Sequence, residues 1–195
     1  VDYCNDQIWE LNVGRGEPSA MMLQTTYGLR ARSMRIFPRF AEGDQFINDP
    51  DAFASPVKLE FAYPNALQVI FAPFAEISAQ ITYWIPQSQV AAGRVVLTNH
   101  SREGKQLTME WAAILAPGSS GERMSIHEFE AAHVLAGSSQ DLAPVFFITG
   151  GAKASGGSYA SLTLTIELSP GESQSYYWAI AARNEHKCSF DLARQ

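Results

Sequence analysis

The run Ile77-Ser78-Ala79-Gln80-Ile81-Thr82-Tyr83-Trp84-Ile85 puts an apolar residue at every odd position and a polar one at every even position until Trp84. A period of two buries its apolar set only as a strand, because a helix would scatter the same residues around its axis. Leu162-Thr-Leu-Thr-Ile-Glu-Leu168 repeats the pattern, with Thr163, Thr165 and Glu167 on the solvent phase. Leu107, Met109, Trp111 and Ala113 alternate in the same way with Thr108, Glu110 and Ala112. Residues 57–63 and 66–72 read as a hairpin turned by Pro64-Asn65. Further strands are expected at 8–13, 19–26, 29–37, 93–99, 124–130, 145–149 and 174–183. About a dozen strands at this spacing predict an all-β fold, a large antiparallel β-sandwich (supersandwich).

Helix signals are scarce. Residues 127–135 could be drawn as two helical turns, but Met124-Ser-Ile-His-Glu-Phe129 also alternates, so that segment is read as strand. The composition agrees with strands: only 17% of residues are charged, against about 25% in typical domains. Ser, Thr, Gln and Gly take the place of the missing charge. A disordered chain, a coiled coil and a collagen-like fibre are excluded. With 14 basic and 20 acidic residues the formal charge is −6, so no nucleic-acid partner is expected. No apolar run approaches the 18 or so residues that span a bilayer. Val1-Asp-Tyr-Cys4 lacks a leader's basic-then-apolar order, so no membrane partner is expected either. At 195 residues, folding should bury roughly 70% of the surface the unfolded chain exposes. Without a linker or internal repeat, residues 1–195 read as a single domain. Cys4 and Cys188 could pin the termini together, but two reduced thiols are the preferred reading, which slightly favours the cytoplasm.

Several catalytic motifs fail on spacing. His127-Glu-Phe-Glu-Ala-Ala-His133 has its histidines at i, i+6, whereas a zinc-protease helix needs i, i+4. On a strand they would share one face about 20 Å apart, too far for one metal. Gly150-Gly-Ala-Lys-Ala-Ser-Gly-Gly157 lacks the order of a phosphate loop and reads as a flexible connection. No nucleophile elbow or cysteine pair with metal spacing occurs, so no cofactor, metal or catalytic residue is assigned. Asn99-His-Ser101 fits a glycosylation sequon, which matters only in a secreted protein.

Binding residues are the better candidates. Residues 38–56 break the alternation and read as a long loop with Phe40, Phe46 and Phe53 among acids and amides. Such a loop is either a flap packed on the sheet or a surface for a ligand or a neighbouring domain. Five of the 14 basic residues, Arg15, Arg30, Arg32, Arg35 and Arg39, cluster at or before it. Arg30 and Arg32 share one strand face, and Arg35 and Arg39 the other unless a bulge intervenes. They either pair with carboxylates across the sheet or offer planar donors to an anion or a sugar's hydroxyls. Trp111 reads as core, while Trp84 falls on the polar phase of its strand and is the tryptophan placed for an exposed stacking role. The ligand-binding candidates are therefore Arg35, Phe37, Arg39, Asp44, Asn48, Asp49 and Trp84.

Three runs carry a family resemblance: Ala75 to Val90, then Gly93-Arg-Val-Val-Leu-Thr-Asn-His-Ser101, then Lys105-Gln-Leu-Thr-Met-Glu-Trp111 continuing to Pro117. A later run, Leu168-Ser-Pro-Gly-Glu172 leading into Tyr176-Tyr-Trp-Ala179, adds to it. Together they resemble the N-terminal β-supersandwich (galactose mutarotase-like) domain that precedes the (α/α)6 barrel of glycoside hydrolases and phosphorylases. Physically, Asn and Ser close a turn between half-buried strands through side-chain hydrogen bonds.

The resemblance implies a fragment of a longer chain: a non-catalytic supporting domain whose partner is a C-terminal (α/α)6-barrel catalytic domain of the same polypeptide. In that family the general acid and base sit in the barrel and a linker helix follows the last long strand. Residues 35–51 are then the loop lent to the active-site rim. A free-standing carbohydrate-binding module that takes an oligosaccharide is the alternative. A third reading is a mutarotase- or lyase-like enzyme, which needs a histidine and a carboxylate converging in a cleft. Only His100, His127, His133 and His186 are available for that.

Overall fold

The computed structural model describes residues 7–14 and 16–195. They form β1 (Glu10–Val13), β2 (Met21–Thr25), β3 (Ala31–Glu42), β4 (Gln45–Ile47), a 3-10 turn at Pro50–Ala52, β5 (Ser55–Tyr63), β6 (Ala66–Phe74), β7 (Ile77–Gln87) and β8 (Val90–Asn99). These are followed by β9 (Lys105–Pro117), β10 (Gly121–Phe129), β11 (Ala132–Ser139), β12 (Ala143–Ile148), β13 (Lys153–Gly156), β14 (Ala160–Leu168), β15 (Ser173–Arg183) and one helix, α1 (His186–Ala193). Cys4 and Arg15 lie outside the described residues.

Two sheets stack face to face. One has seven strands in the order β1-β2-β3-β9-β14-β13, with β4 also paired to β3. The other has eight, in the order β10-β11-β12-β15-β8-β7-β6-β5. Their pairings are antiparallel throughout, so the expected all-β sandwich is what forms. The alternation decides the inner faces. In β7, Ile77, Ala79, Ile81 and Tyr83 are buried, and in β14 Leu162, Leu164, Ile166 and Leu168 are buried while Thr165 and Glu167 are exposed. Aromatic rings knit the sheets together: Trp111 of β9 packs 4.9 Å from Trp178 of β15 and 5.6 Å from Phe146 of β12. Phe40 of β3, Phe71 of β6 and Phe53 form a second knot, with Phe53 stacked on Phe71 at 4.7 Å. Fully burying rings of this size stabilises by about 1.5–3 kcal/mol each.

Four segments depart from the sequence reading. Residues 38–56 are not a long loop: β3 runs on through Pro38 to Glu42, and β4 folds back on it. Pro38 is tolerated because β3 keeps pairing on both sides of it, with β9 and then β4. Residues 127–135 are not one strand either. The chain reverses at Glu130 and Ala131, both at positive φ (51° and 64°), as a two-residue hairpin of this twist requires. His133 therefore lies opposite Glu128 and His127 opposite Val134, which puts the two histidines on opposite faces instead of one. The glycine-rich 150–157 segment contains β13, a short edge strand paired to β14. Finally, α1 packs on the outer face of the eight-stranded sheet, where Phe190 is buried against Val134, Ala136 and Val145. Eight residues are too few for a helical period to stand out in sequence.

Candidate functional site

The outer face of the seven-stranded sheet is not a simple solvent face. Arg35, Phe37 and Arg39 project from it in one row along β3, opposite Ile114, Ala112 and Glu110 of β9. In the next strand, Ser161 of β14 lies opposite Ala112. A bulge between Ala31 and Ser33 takes up Arg32 and leaves Arg35 and Arg39 on a common face. Glu110 is only 8% exposed. One of its carboxylate oxygens accepts from Arg39 at 2.5 Å and the other from the Ser161 hydroxyl. The Arg39 guanidinium lies over the Phe46 ring at 4.8 Å and 5.8 Å from that of Tyr159. Tyr159 meets Phe37 edge-on at 5.8 Å. Beneath them Ala20, Met22, Phe37 and Ala112 form a small apolar cluster outside the main core.

This arrangement has a definite chemical capacity. Both oxygens of Glu110 are engaged, so it serves as a hydrogen-bond acceptor and not as a free base. Arg39 spends its charge on Glu110 and its faces on two aromatic rings, which fixes the β3–β4 hairpin and sets Phe46, 48% exposed, at its surface. Arg35 donates to Glu17 O at 3.1 Å and, with Gln24, Thr26 and Arg32, lines an open groove of about 310 Å3.

The remaining candidates stand elsewhere. Asn48 donates to Ser19 O at 2.8 Å, and the Ser19 hydroxyl donates to Asp49 at 2.9 Å. Asp49 also accepts the Asp51 N–H at 3.1 Å, capping the 3-10 turn. These two residues staple the segment before β2 to the one after β4. Asp44 stands exposed in the β3–β4 turn, beside Gly43 at φ 57°. Trp84 is half-buried on the outer face of the other sheet, across the sandwich from the arginines. Sequence reasoning missed Glu110, Ser161, Phe46 and Tyr159 as members of the arginine cluster. Glu110 and Ser161 sit on the polar phase of their strands, and only the register of β3 on β9 shows which charge each one meets.

His127 and His186 lie close, with ring centroids 5.8 Å apart, but their side-chain hydrogen bonds go to different partners. His100 pairs with the Ser78 hydroxyl at 2.7 Å, His127 with that of Ser125 at 2.9 Å, and His186 donates to Gly137 O at 2.7 Å. Among the described residues, no three His, Cys, Asp or Glu side chains gather closely enough to hold a metal ion. No helix among them is long and apolar enough to cross a membrane. Burial without a hydrogen-bond partner pushes the Tyr27 and Tyr83 hydroxyls far above the usual phenol range. Asn99 is fully buried with its amide occupied, so the sequon is a structural turn.

No family model matches the chain, and no curated protein matches it by sequence. Solved structures match by shape. A bacterial glucoamylase solved with acarbose is 8% identical with a TM-score of 0.67, over 98% of this chain and 32% of that one. A human-microbiome protein described as a kojibiose phosphorylase is 11% identical with a TM-score of 0.52, over 96% of this chain and 28% of its own. A galactose mutarotase related enzyme from Lactobacillus acidophilus is 6% identical with a TM-score of 0.54, over 92% of this chain and 95% of that one. The chain thus spans about a third or less of the first two proteins and nearly all of the third. With sheets of seven and eight antiparallel strands packed face to face, the chain has a galactose mutarotase-like β-sandwich fold.

Proposed function

We propose that the chain is a supporting β-sandwich domain of a carbohydrate-active enzyme, a glycoside hydrolase or phosphorylase, and that it packs on a helical catalytic barrel of the same polypeptide. The observation that carries this reading is the alignment with the glucoamylase, which uses 98% of this chain yet only 32% of that one. Two local features support it. The Asn-x-Ser turn and the Pro-Gly-Glu turn quoted from the sequence meet in space, where Gly171 N–H donates to Asn99 O at 2.9 Å. A short helix follows the last long strand, in the place where the resemblance implies a linker helix. The β3–β4 hairpin, held by Arg39 and Glu110, is the element with the reach and rigidity to border a neighbouring active site.

One observation favours a second reading, a mutarotase-like enzyme: the near-complete overlap with the Lactobacillus acidophilus protein. Against it, His127 and His186 are bound to Ser125 and Gly137, and His100, which lines an open pocket with Glu76 and Glu103, makes its side-chain hydrogen bond to Ser78 and not to either carboxylate. Polarimetry separates the two. Freshly dissolved α-glucose and α-galactose should equilibrate no faster with the protein than in buffer, and a protein-dependent acceleration would establish the second reading in place of the first.

A further inference from the structure

The open half of the eight-stranded sheet's outer face carries aromatic rings at regular stations. The β-ladder puts Tyr63, Ala66, Trp84, Ala92 and Ala179 in one row across β5, β6, β7, β8 and β15. The adjacent row reads Phe61, Gln68, Thr82, Arg94 and Tyr177. Tyr63 and Tyr177 are 68% and 50% exposed, and Phe61 braces Tyr63 at 5.6 Å. With strands about 4.8 Å apart and about 3.3 Å per residue along each, Tyr63 to Trp84 spans about 10 Å and Trp84 to Tyr177 about 12 Å. Trp84 between them is half-buried, with the small side chains of Ala66 and Ala92 on either side of it.

The row beside the rings is polar and pre-arranged. Gln68 donates to the Thr82 hydroxyl at 2.7 Å, and the Gln80 amide reaches Gln68 at 3.2 Å and Glu60 at 3.4 Å. Arg94 stands between Thr82 and Tyr177. Held side chains lose little freedom when a ligand binds. The face is nearly balanced in charge, with Lys58 and Arg94 against Glu60, on a chain whose formal charge is −6. Charge complementarity therefore selects an uncharged occupant. Helix α1 covers the other half of this face through Phe190, Leu192 and Ala193, and its edge reaches Ala92 and Ala179 at the end of the first row.

The geometry points to a surface site for a linear neutral oligosaccharide along Tyr63, Trp84 and Tyr177. Pyranose rings stack their C–H faces on the three aromatics, and intervening sugars place hydroxyls on Gln68, Thr82 and Arg94. The inference stands apart from the packing proposed above, since a chain that never meets a barrel would still present this strip.

Calorimetric titration of the whole chain with cellohexaose, maltohexaose and mannohexaose tests it. At least one hexaose should bind with a Kd between about 10 µM and 1 mM. Trp84→Ala should weaken that binding by about tenfold or more, and Tyr63→Ala and Tyr177→Ala by about three- to tenfold each. Trp84→Phe keeps a stacking ring and should retain most of the affinity, which separates a lost contact from a damaged fold. The matching disaccharide, spanning a single station, should bind more weakly than its hexaose. If no hexaose binds up to about 10 mM, or if the three alanine variants bind as tightly as the parent, the site does not exist.

Discussion

Asn99 Oδ1 accepts both the backbone N–H and the hydroxyl of Ser101, at 2.9 and 2.7 Å, and both residues are buried beneath an otherwise exposed turn. The Asn99 amide then donates to Glu103 O at 2.7 Å and to Leu168 O at 3.0 Å. One side chain thus joins the end of β8, the start of β9 and the end of β14, tying the two sheets at one edge. Replacing Asn99 with Ala orphans buried carbonyls and an N–H, so Asn99→Ala should cost about 2–4 kcal/mol and Ser101→Ala about 1–2 kcal/mol. Urea denaturation curves check both values, and an unchanged midpoint for Asn99→Ala would remove the clasp from the account.

Glu110 and Arg39 should behave as a buried pair. Glu110→Ala leaves the guanidinium under Phe46 and Tyr159 without its counter-charge and should destabilise by about 2–4 kcal/mol, whereas Glu110→Leu with Arg39→Met should recover much of that loss. Equal losses in the single and double variants would show that the pair contributes through packing alone.

Gly93 makes room for Trp178. A Cβ there would lie 2.3 Å from the indole and 2.5 Å from Thr82 O, and neither can retreat inside a paired sheet. Gly93→Ala should therefore cost about 2–4 kcal/mol and shift the tryptophan emission, because Trp178 packs against Trp111 and Tyr83. An emission spectrum identical to the parent's would contradict this.

Acid should loosen α1 before it loosens the sandwich. Hydrogen bonds from Lys187 and Arg194 hold the Glu130 carboxyl below its usual range. Because the folded value lies below the unfolded one, the contribution is complete above about pH 4.3 and is lost as pH falls through the lower folded value. Hydrogen exchange at Phe190 should quicken over that interval, and Glu130→Gln should abolish the pH dependence.

What the sequence disclosed follows from physical range. Alternation is local, so the inner faces of β7, β9 and β14 could be read residue by residue, and the Pro64-Asn65 hairpin followed from turn chemistry. The Glu130-Ala131 reversal could not be read, because neither residue is a usual left-handed turn former. Pro38 suggested a break where pairing on both flanks carries β3 through. The candidate site was half legible: Arg35, Phe37 and Arg39 share a face because their spacing is even. Their partners Glu110 and Ser161 depend on long-range register, to which period and propensity are blind.

The central claim is that this sandwich works as one domain of a larger carbohydrate-active protein. Immunoblotting of cells that express it natively, with an antibody raised against the chain, tests that directly. A band is expected at roughly three times the chain's 21.4 kDa, the ratio set by the 32% share of the glucoamylase that it matches. A single band at 21.4 kDa would contradict it.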